Sequence, residues 1–231
     1  MERLADIRRR IAVAAQNSGR KASDITLVGV TKTVDAARVA EFVSLGGEAL
    51  GENRVQELVA KAAQLKEMGM SPQWHMIGRL QTNKVKAVVG LVVLIHSVDS
   101  LRLAREIDKR AADLGVRQDV LAEVNISGES TKAGLAPAEV AGFVKQLQEF
   151  PNIRLRGLMT LAPLVEHPED SRYCFRKMKQ LFIDISSFFK DNRYMDTLSM
   201  GMSGDFEIAI EEGANMVRIG TGIFGGRANT R

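Results

Sequence analysis

Apolar positions along the chain follow two alternating periods. The N-terminal segment sets Leu4, Ile7, Ile11, Ala14 and Ala15 at helical spacing, which predicts an amphipathic helix. After it come short apolar runs of strand length: Ile25–Thr31, Glu48–Gly51, Gln73–Ile77, Val92–Ser97, Val120–Ile126, Arg154–Leu161, Thr197–Met200 and Met216–Ile219. Helical period fills the spaces between them, as in Leu103, Ile107, Ala111 and Leu114, or in Phe175, Met178, Phe182, Ile185 and Phe189. Asp99 and Ser100 precede the former segment as helix-capping residues. Eight β/α units in roughly the 200–250 residues that a TIM barrel requires predict an α/β (β/α)8 barrel with an added N-terminal helix, and a doubly wound open sheet is the second choice. No linker rich in Pro, Gly or Ser interrupts the alternation, so one domain over residues 1–231 is expected.

Composition narrows the class. With 45% hydrophobic but only 5% aromatic residues, the core must be built from Val, Ile, Leu, Met and Ala, which suits strands buried on both faces. The one cysteine, Cys174, can form no intramolecular disulfide and is expected to be buried on a helix. The opening MERLADIRRRIAVAAQ has no apolar signal core, so a cytoplasmic location is expected. The longest apolar run, Leu91–Ile95, is too short to span a bilayer. The net charge of +4 is spread along helices among acids, and its one cluster, Arg8-Arg9-Arg10, reads as a solvated helix face. A nucleic-acid surface would need clustered cations interleaved with aromatics, and a metal centre would need more than one cysteine and three scattered histidines.

In such a barrel, chemistry belongs at the C-terminal ends of the strands. The first strand ends at Lys32, which has two readings: a snorkelling lysine, or a partly desolvated amine able to attack a carbonyl. Asn53 follows the second strand and His75 lies on the third. A lone histidine packs as often as it binds, and His96 on the fourth strand reads as packing, with Asp99 as a cap. Polar residues such as Glu123 and Asn125 either face a site or fill a barrel layer. The seventh strand runs through Ser199-Met200-Gly201-Met202-Ser203-Gly204-Asp205 into a helix, a composition suited to binding an anion on N–H groups at a helix start. The eighth leads into Arg218-Ile219-Gly220-Thr221-Gly222-Ile223-Phe224-Gly225, formally G-x-G-x-x-G but without the βα unit and acid that a dinucleotide fingerprint needs. The loops after strands seven and eight form the recurrent phosphate site of these barrels, whereas glycines that only make tight turns are the plainer reading. A lysine, a phosphate cradle and Arg218 between them would suit a phosphorylated aldehyde, pyridoxal 5′-phosphate (PLP) first and a sugar phosphate second.

Thr31-Lys32-Thr33, GENRVQE (51–57), WHMIGRLQTNK (74–84), VNISGESTKAGL (124–135), RGLMTLAP (156–163), SMGMSGDFEIAI (199–210) and VRIGTGIFG (217–225) together resemble the pyridoxal phosphate homeostasis protein family, in order and over nearly the whole chain. The resemblance implies a barrel like the N-terminal domain of alanine racemases, with PLP as an aldimine on Lys32. It implies a phosphate held by Ser203, Gly220 and Thr221, Arg218 facing the pyridine nitrogen, and Asn53, His75 and Met202 along the ring. It also implies a monomer that buffers or delivers the cofactor, with PLP-dependent apo-enzymes as recipients and no robust catalysis of its own. A weak PLP-dependent amino-acid racemase is the alternative. Racemases of this class add a second domain that supplies a tyrosine acid/base, and the tyrosines here, Tyr173 and Tyr194, read as packing residues between strands six and seven.

Overall fold

Each apolar run folds as a parallel strand, and the strands close in chain order: β1 (Thr26–Val30), β2 (Ala49–Glu52), β3 (Gln73–Met76), β4 (Leu94–Val98), β5 (Gln118–Glu123), β6 (Ile153–Met159), β7 (Thr197–Ser199) and β8 (Met216–Ile219). A computed structural model gives this architecture for residues 2–129, 131–163, 165–189 and 195–226. Because β8 pairs with β1, from Thr26 opposite Met216 to Gly29 opposite Ile219, the sheet is a closed barrel and the open doubly wound alternative fails. Around it run α1 (Glu2–Asn17), α2 (Ala36–Ser44), α3 (Val55–Glu67), α4 (Leu101–Leu114), α5 (Pro137–Leu147), α6 (Arg172–Ser186), α7 (Phe206–Glu211) and α8 (Thr221–Phe224). A 3-10 segment, Thr82–Ala87, connects β3 to β4 where the other early connections are α-helical.

Most strands are shorter than the runs that encode them, because the apolar sequence continues into the loops above the barrel. The run Val120–Ile126 stops pairing as a strand at Glu123, and the Asn125 side chain then builds a turn by accepting from the Gly128 amide at 3.0 Å. Helix α1 buries Leu4, Ile7, Ile11, Ala14 and Ala15, the stripe its spacing predicts, against α7 and α8. The arginine triplet does more than face solvent. Arg8 donates to the Leu45 and Gly46 carbonyls at 3.0 and 2.7 Å, and Arg10 reaches Glu207 and lies over the Phe206 ring, so two of the three fasten α1 to the barrel.

Three further expectations are corrected. Ser100, not Asp99, caps α4 by accepting from the Leu103 amide. Leu114 is exposed, because the helix ends at Gly115 in the left-handed conformation before that residue can turn inward. Tyr173 does not pack but stands exposed beside the Lys177 ammonium, while Tyr194 lies outside the described residues. Cys174 is buried, and burial pushes its thiol pKa up.

Inside the barrel the layers change character with height. Val28, Ala49, Leu94, Leu121, Met159 and Met216 fill the lower interior with one apolar cluster. One pleat higher, period-two alternation brings His75, His96, Glu123, Ser199 and Arg218 into the interior, all of them buried. Above that polar layer the barrel opens.

Candidate functional site

The open end of the barrel holds a cavity of about 550 Å³, within the usual range for a small-molecule site. Lys32, Asn53, Met202, Ser203, Arg218, Gly220 and Thr221 all line it, so strands β1, β2, β7 and β8 bring seven of the eight sequence-predicted residues to one place. His75 does not line it. It lies beneath, in the polar layer. The remaining wall is apolar at Val30, Ile77, Leu161, Pro163 and Val165 and acidic at Glu166 and Asp205.

Between the ends of β7 and β8 the backbone offers a cradle. Ser203 Oγ accepts from the Gly222 amide at 3.2 Å and ties the two loops together. The backbone N–H groups of Ser203, Gly204, Gly220 and Thr221 make no hydrogen bond within the described residues. Ahead of α7 the Met202 amide donates to the Asp205 carboxylate at 2.6 Å, and the Asp205 and Phe206 amides donate to the Met202 carbonyl at 3.1 and 2.9 Å, so these three are already used. The donors lie instead in the 203–204 bend and at the start of α8. Gly201 explains how the bend fits: its φ is +94°, and a Cβ there would come within 2.6 Å of Ala209 Cβ.

Arg218 is buried one residue pair below Gly220 on the same face of β8. It donates to Ser199 Oγ at 2.5 Å and to the Thr160 carbonyl at 2.8 Å. Burial lowers its pKa to about 10, opposed by Glu123 and Asp205, so it remains charged at neutral pH. From it a buried chain continues: Ser199 Oγ stands 3.2 Å from His96 Nδ1, and His96 Nε2 stands 2.9 Å from His75 Nδ1. The arginine donates to the hydroxyl, and each ring nitrogen beyond it donates or accepts according to the tautomer. His75 Nε2, at the far end of the chain, is buried with no partner among the described residues. Burial drives both imidazoles toward the neutral form, His75 down to about 4, and for His96 the charges of His75 and Arg218 add to the effect. His96 is therefore a member of the arginine's support and not simply a packing residue.

Glu123 completes the layer. Burial first, and then the Asp99 carboxylate, raise its pKa to about 7 against the pull of Arg218 and Arg79. Asp99 thus acts on this layer electrostatically and caps no helix. Of the two readings of Lys32, the structure favours the snorkelling geometry, with the side chain exposed at the rim of the cavity. No group of metal-ligating residues occurs among the described residues. No helix among them is long and apolar enough to cross a membrane.

Residues 3–228 match the family "Alanine racemase, N-terminal domain". A pyridoxal phosphate homeostasis protein of Aquifex aeolicus is 47% identical over 226 residues, covering 98% of this chain and 97% of its own. The chain belongs to the pyridoxal phosphate homeostasis protein family. Among solved structures similar to this family member, PipY of Synechococcus elongatus PCC7942 with PLP bound superposes with a TM-score of 0.84 at 33% identity, covering 97% of this chain and 99% of PipY. An alanine racemase of Clostridium difficile 630 shares the fold alone, with a TM-score of 0.67 at 19% identity over 54% of the racemase chain. The barrel of this family member is thus the racemase barrel.

Proposed function

We propose that this protein binds PLP at the mouth of the barrel and buffers or delivers it as one domain over residues 1–231, without robust catalysis of its own. One observation carries the reading: a single open cavity presents a primary amine from Lys32, unused backbone N–H groups between β7 and β8, and a buried, charged Arg218. PLP supplies an aldehyde that a primary amine captures reversibly, together with a phosphate anion. Lys32 is the anchor in this reading. Ser203, Gly220 and Thr221 bind the phosphate through the cradle, whose amides gain the acceptors they lack. Asn53 and Met202 face the ring, and His75 acts from below through His96 and Ser199.

Arg218 argues for holding over turnover. A ring nitrogen protonated beside an acid makes PLP a strong electron sink, but a guanidinium that only donates hydrogen bonds favours the unprotonated nitrogen. The relatives named for PLP homeostasis support the same conclusion. Recipients are PLP-dependent apo-enzymes, and the protein works as a cytoplasmic monomer.

The test compares absorbance spectra of the parent and Lys32→Ala after incubation with PLP and removal of the excess. A visible band in the parent that the variant lacks is the expected result, and a colourless parent would refute the reading. Exchange of the amino-acid α-proton with solvent, followed in deuterium oxide, must stay near background; rapid exchange would make the protein a racemase-type enzyme.

A further inference from the structure

The turn that carries Lys32 is held in an unfavourable shape from outside the cavity. Thr31 to Val34 form a turn closed by the Val34 amide donating to the Thr31 carbonyl at 3.0 Å, with Lys32 and Thr33 at its centre. Thr33 has a φ of +62°, the single positive value for a non-glycine among the described residues. A β-branched residue in the left-handed region is strained, and the third position of such a turn ordinarily takes glycine. Strain of this kind persists only where the surroundings over-determine it.

Helix α3 and the end of β2 supply that determination. On one side of Lys32, the Thr33 amide donates to Glu57 Oε2 at 3.2 Å. On the other, Lys61 Nζ donates to the Thr31 carbonyl at 2.6 Å, the same oxygen that closes the turn. Lys61 is buried and ion-paired with the fully buried Glu52, whose Oε1 also accepts from Thr31 Oγ1 at 2.8 Å. Glu57 lies 3.5 Å from Lys61, and although burial opposes it, the Thr33 amide and the Lys61 ammonium hold its carboxyl below the ordinary glutamate pKa. A buried ion pair is weak evidence for stability, since apolar residues serve as well. This one spends hydrogen bonds on Thr31, the residue before Lys32, while Glu57 beside it takes the amide of Thr33, the residue after.

Lys32 also stands between two spaces. It lines the main cavity and a second one of about 440 Å³ with Asp35, Arg38 and Arg54, so the conformation of the turn decides which space its amine serves. We propose that Glu57 and Lys61, with Glu52, are positioning residues that hold the turn in its strained form and keep the Lys32 amine over the main cavity. The purpose assigned to them rests on Lys32 being the PLP anchor.

The experiment uses the full chain in four forms: parent, Glu57→Leu, Thr33→Gly, and the double variant. Glu52→Gln combined with Lys61→Met probes the other half of the clamp without leaving a buried charge unpaired. Two quantities are read: amide hydrogen exchange across residues 31–34 without PLP, and the rate at which added PLP develops its absorbance band. Glu57→Leu should speed exchange and slow capture about tenfold. Thr33→Gly should return most of the lost rate in the Glu57→Leu background, because glycine adopts the same φ without strain. Loss of packing around α3 would not be repaired by a change at residue 33. Unchanged exchange and capture in folded Glu57→Leu would overturn the proposal, as would failure of glycine to restore the rate. A parent that captures no PLP would sink the proposed function and leave the clamp to be judged on exchange, where no change in Glu57→Leu overturns it.

Discussion

Glu123→Gln separates two opposing proton equilibria in the buried layer beneath the site. In the folded protein the Glu123 carboxyl is raised from 4.5 to about 7, first by burial and then by Asp99, with the opposing attraction of Arg218 and Arg79 already included. Moving a carboxyl that far is worth about 3 kcal/mol, at 1.36 kcal/mol for each pKa unit. The sign follows from linkage: a raised folded pKa means that the folded state binds the proton first. Its contribution is fully present below 4.5 and is lost as the pH rises through about 7. His75 and His96 work the other way, because burial depresses them. Their contribution is present above the ordinary 6.5 and is lost on acidification, for His75 down to about 4. Over the same window the carboxyl therefore offsets part of the histidine loss. Glutamine keeps the shape of Glu123 and removes the titration. Urea unfolding free energies of parent and variant should differ by an amount that shifts about 3 kcal/mol in favour of the variant between about pH 4.5 and pH 8.5, and acid destabilisation of the variant should be steeper. A difference that does not change with pH would refute the reasoning.

Two further predictions concern single contacts. His96→Leu removes the hydrogen-bond partner of both the Ser199 hydroxyl and His75 Nδ1, which should cost about 1–3 kcal/mol for each group; with Ser199→Ala added, urea denaturation should show the pair non-additive by about 0.5–3 kcal/mol, and strict additivity would break the proposed chain. Gly201→Ala should destabilise by about 2 kcal/mol or more, since its Cβ would collide with Ala209 at a φ of +94°, and a thermal midpoint equal to that of the parent would contradict the account of the bend.

The parts of the molecule that one local rule governs were legible from the sequence. The buried stripe of α1 follows from a 3.6-residue period with nothing competing for it. The bounds of β8 coincide with its apolar run because Asn215 and Gly220 stop it on both sides. Reading the strand ends was enough to assemble Lys32, Asn53, Ser203, Arg218, Gly220 and Thr221 around one cavity, since barrel closure brings all strand ends together, and the family resemblance added Met202. Contacts that depend on closure itself were not legible. Ser199 and His96 are 103 positions apart, and only the register of the interior layer makes them neighbours. Ile77, Leu161 and Val165 look in sequence like any core residues, yet they wall the site. The Glu52–Lys61 pair and the conformation of Thr33 drew no notice in the sequence, because neither a buried ion pair nor a positive φ leaves a mark in local composition.

The two ends of the barrel divide stability from binding. At the N-terminal end, Asp119 takes Arg154 at 2.6 Å and Arg156 at 2.7 Å, and Arg156 also donates to Asp196 at 2.9 Å, so the charges there are matched within the chain. The C-terminal end is the reverse. Amides of two loops point at no acceptor, His75 Nε2 is buried without a partner, the Lys32 amine is exposed, and Thr33 is strained beside it. Of these, the buried unpartnered His75 nitrogen and the strained Thr33 raise the free energy of the protein, whereas the loop amides and the Lys32 amine meet solvent. The unbonded loop amides and the Lys32 amine suit an anion with acceptor oxygens and an amine-reactive carbon, bound beside the Glu166 and Asp205 carboxylates that also line the cavity. A protein that binds its ligand only when folded gains stability when the cavity fills, and releases its ligand when the free concentration falls. That coupling is what buffering requires, and it needs no catalytic step.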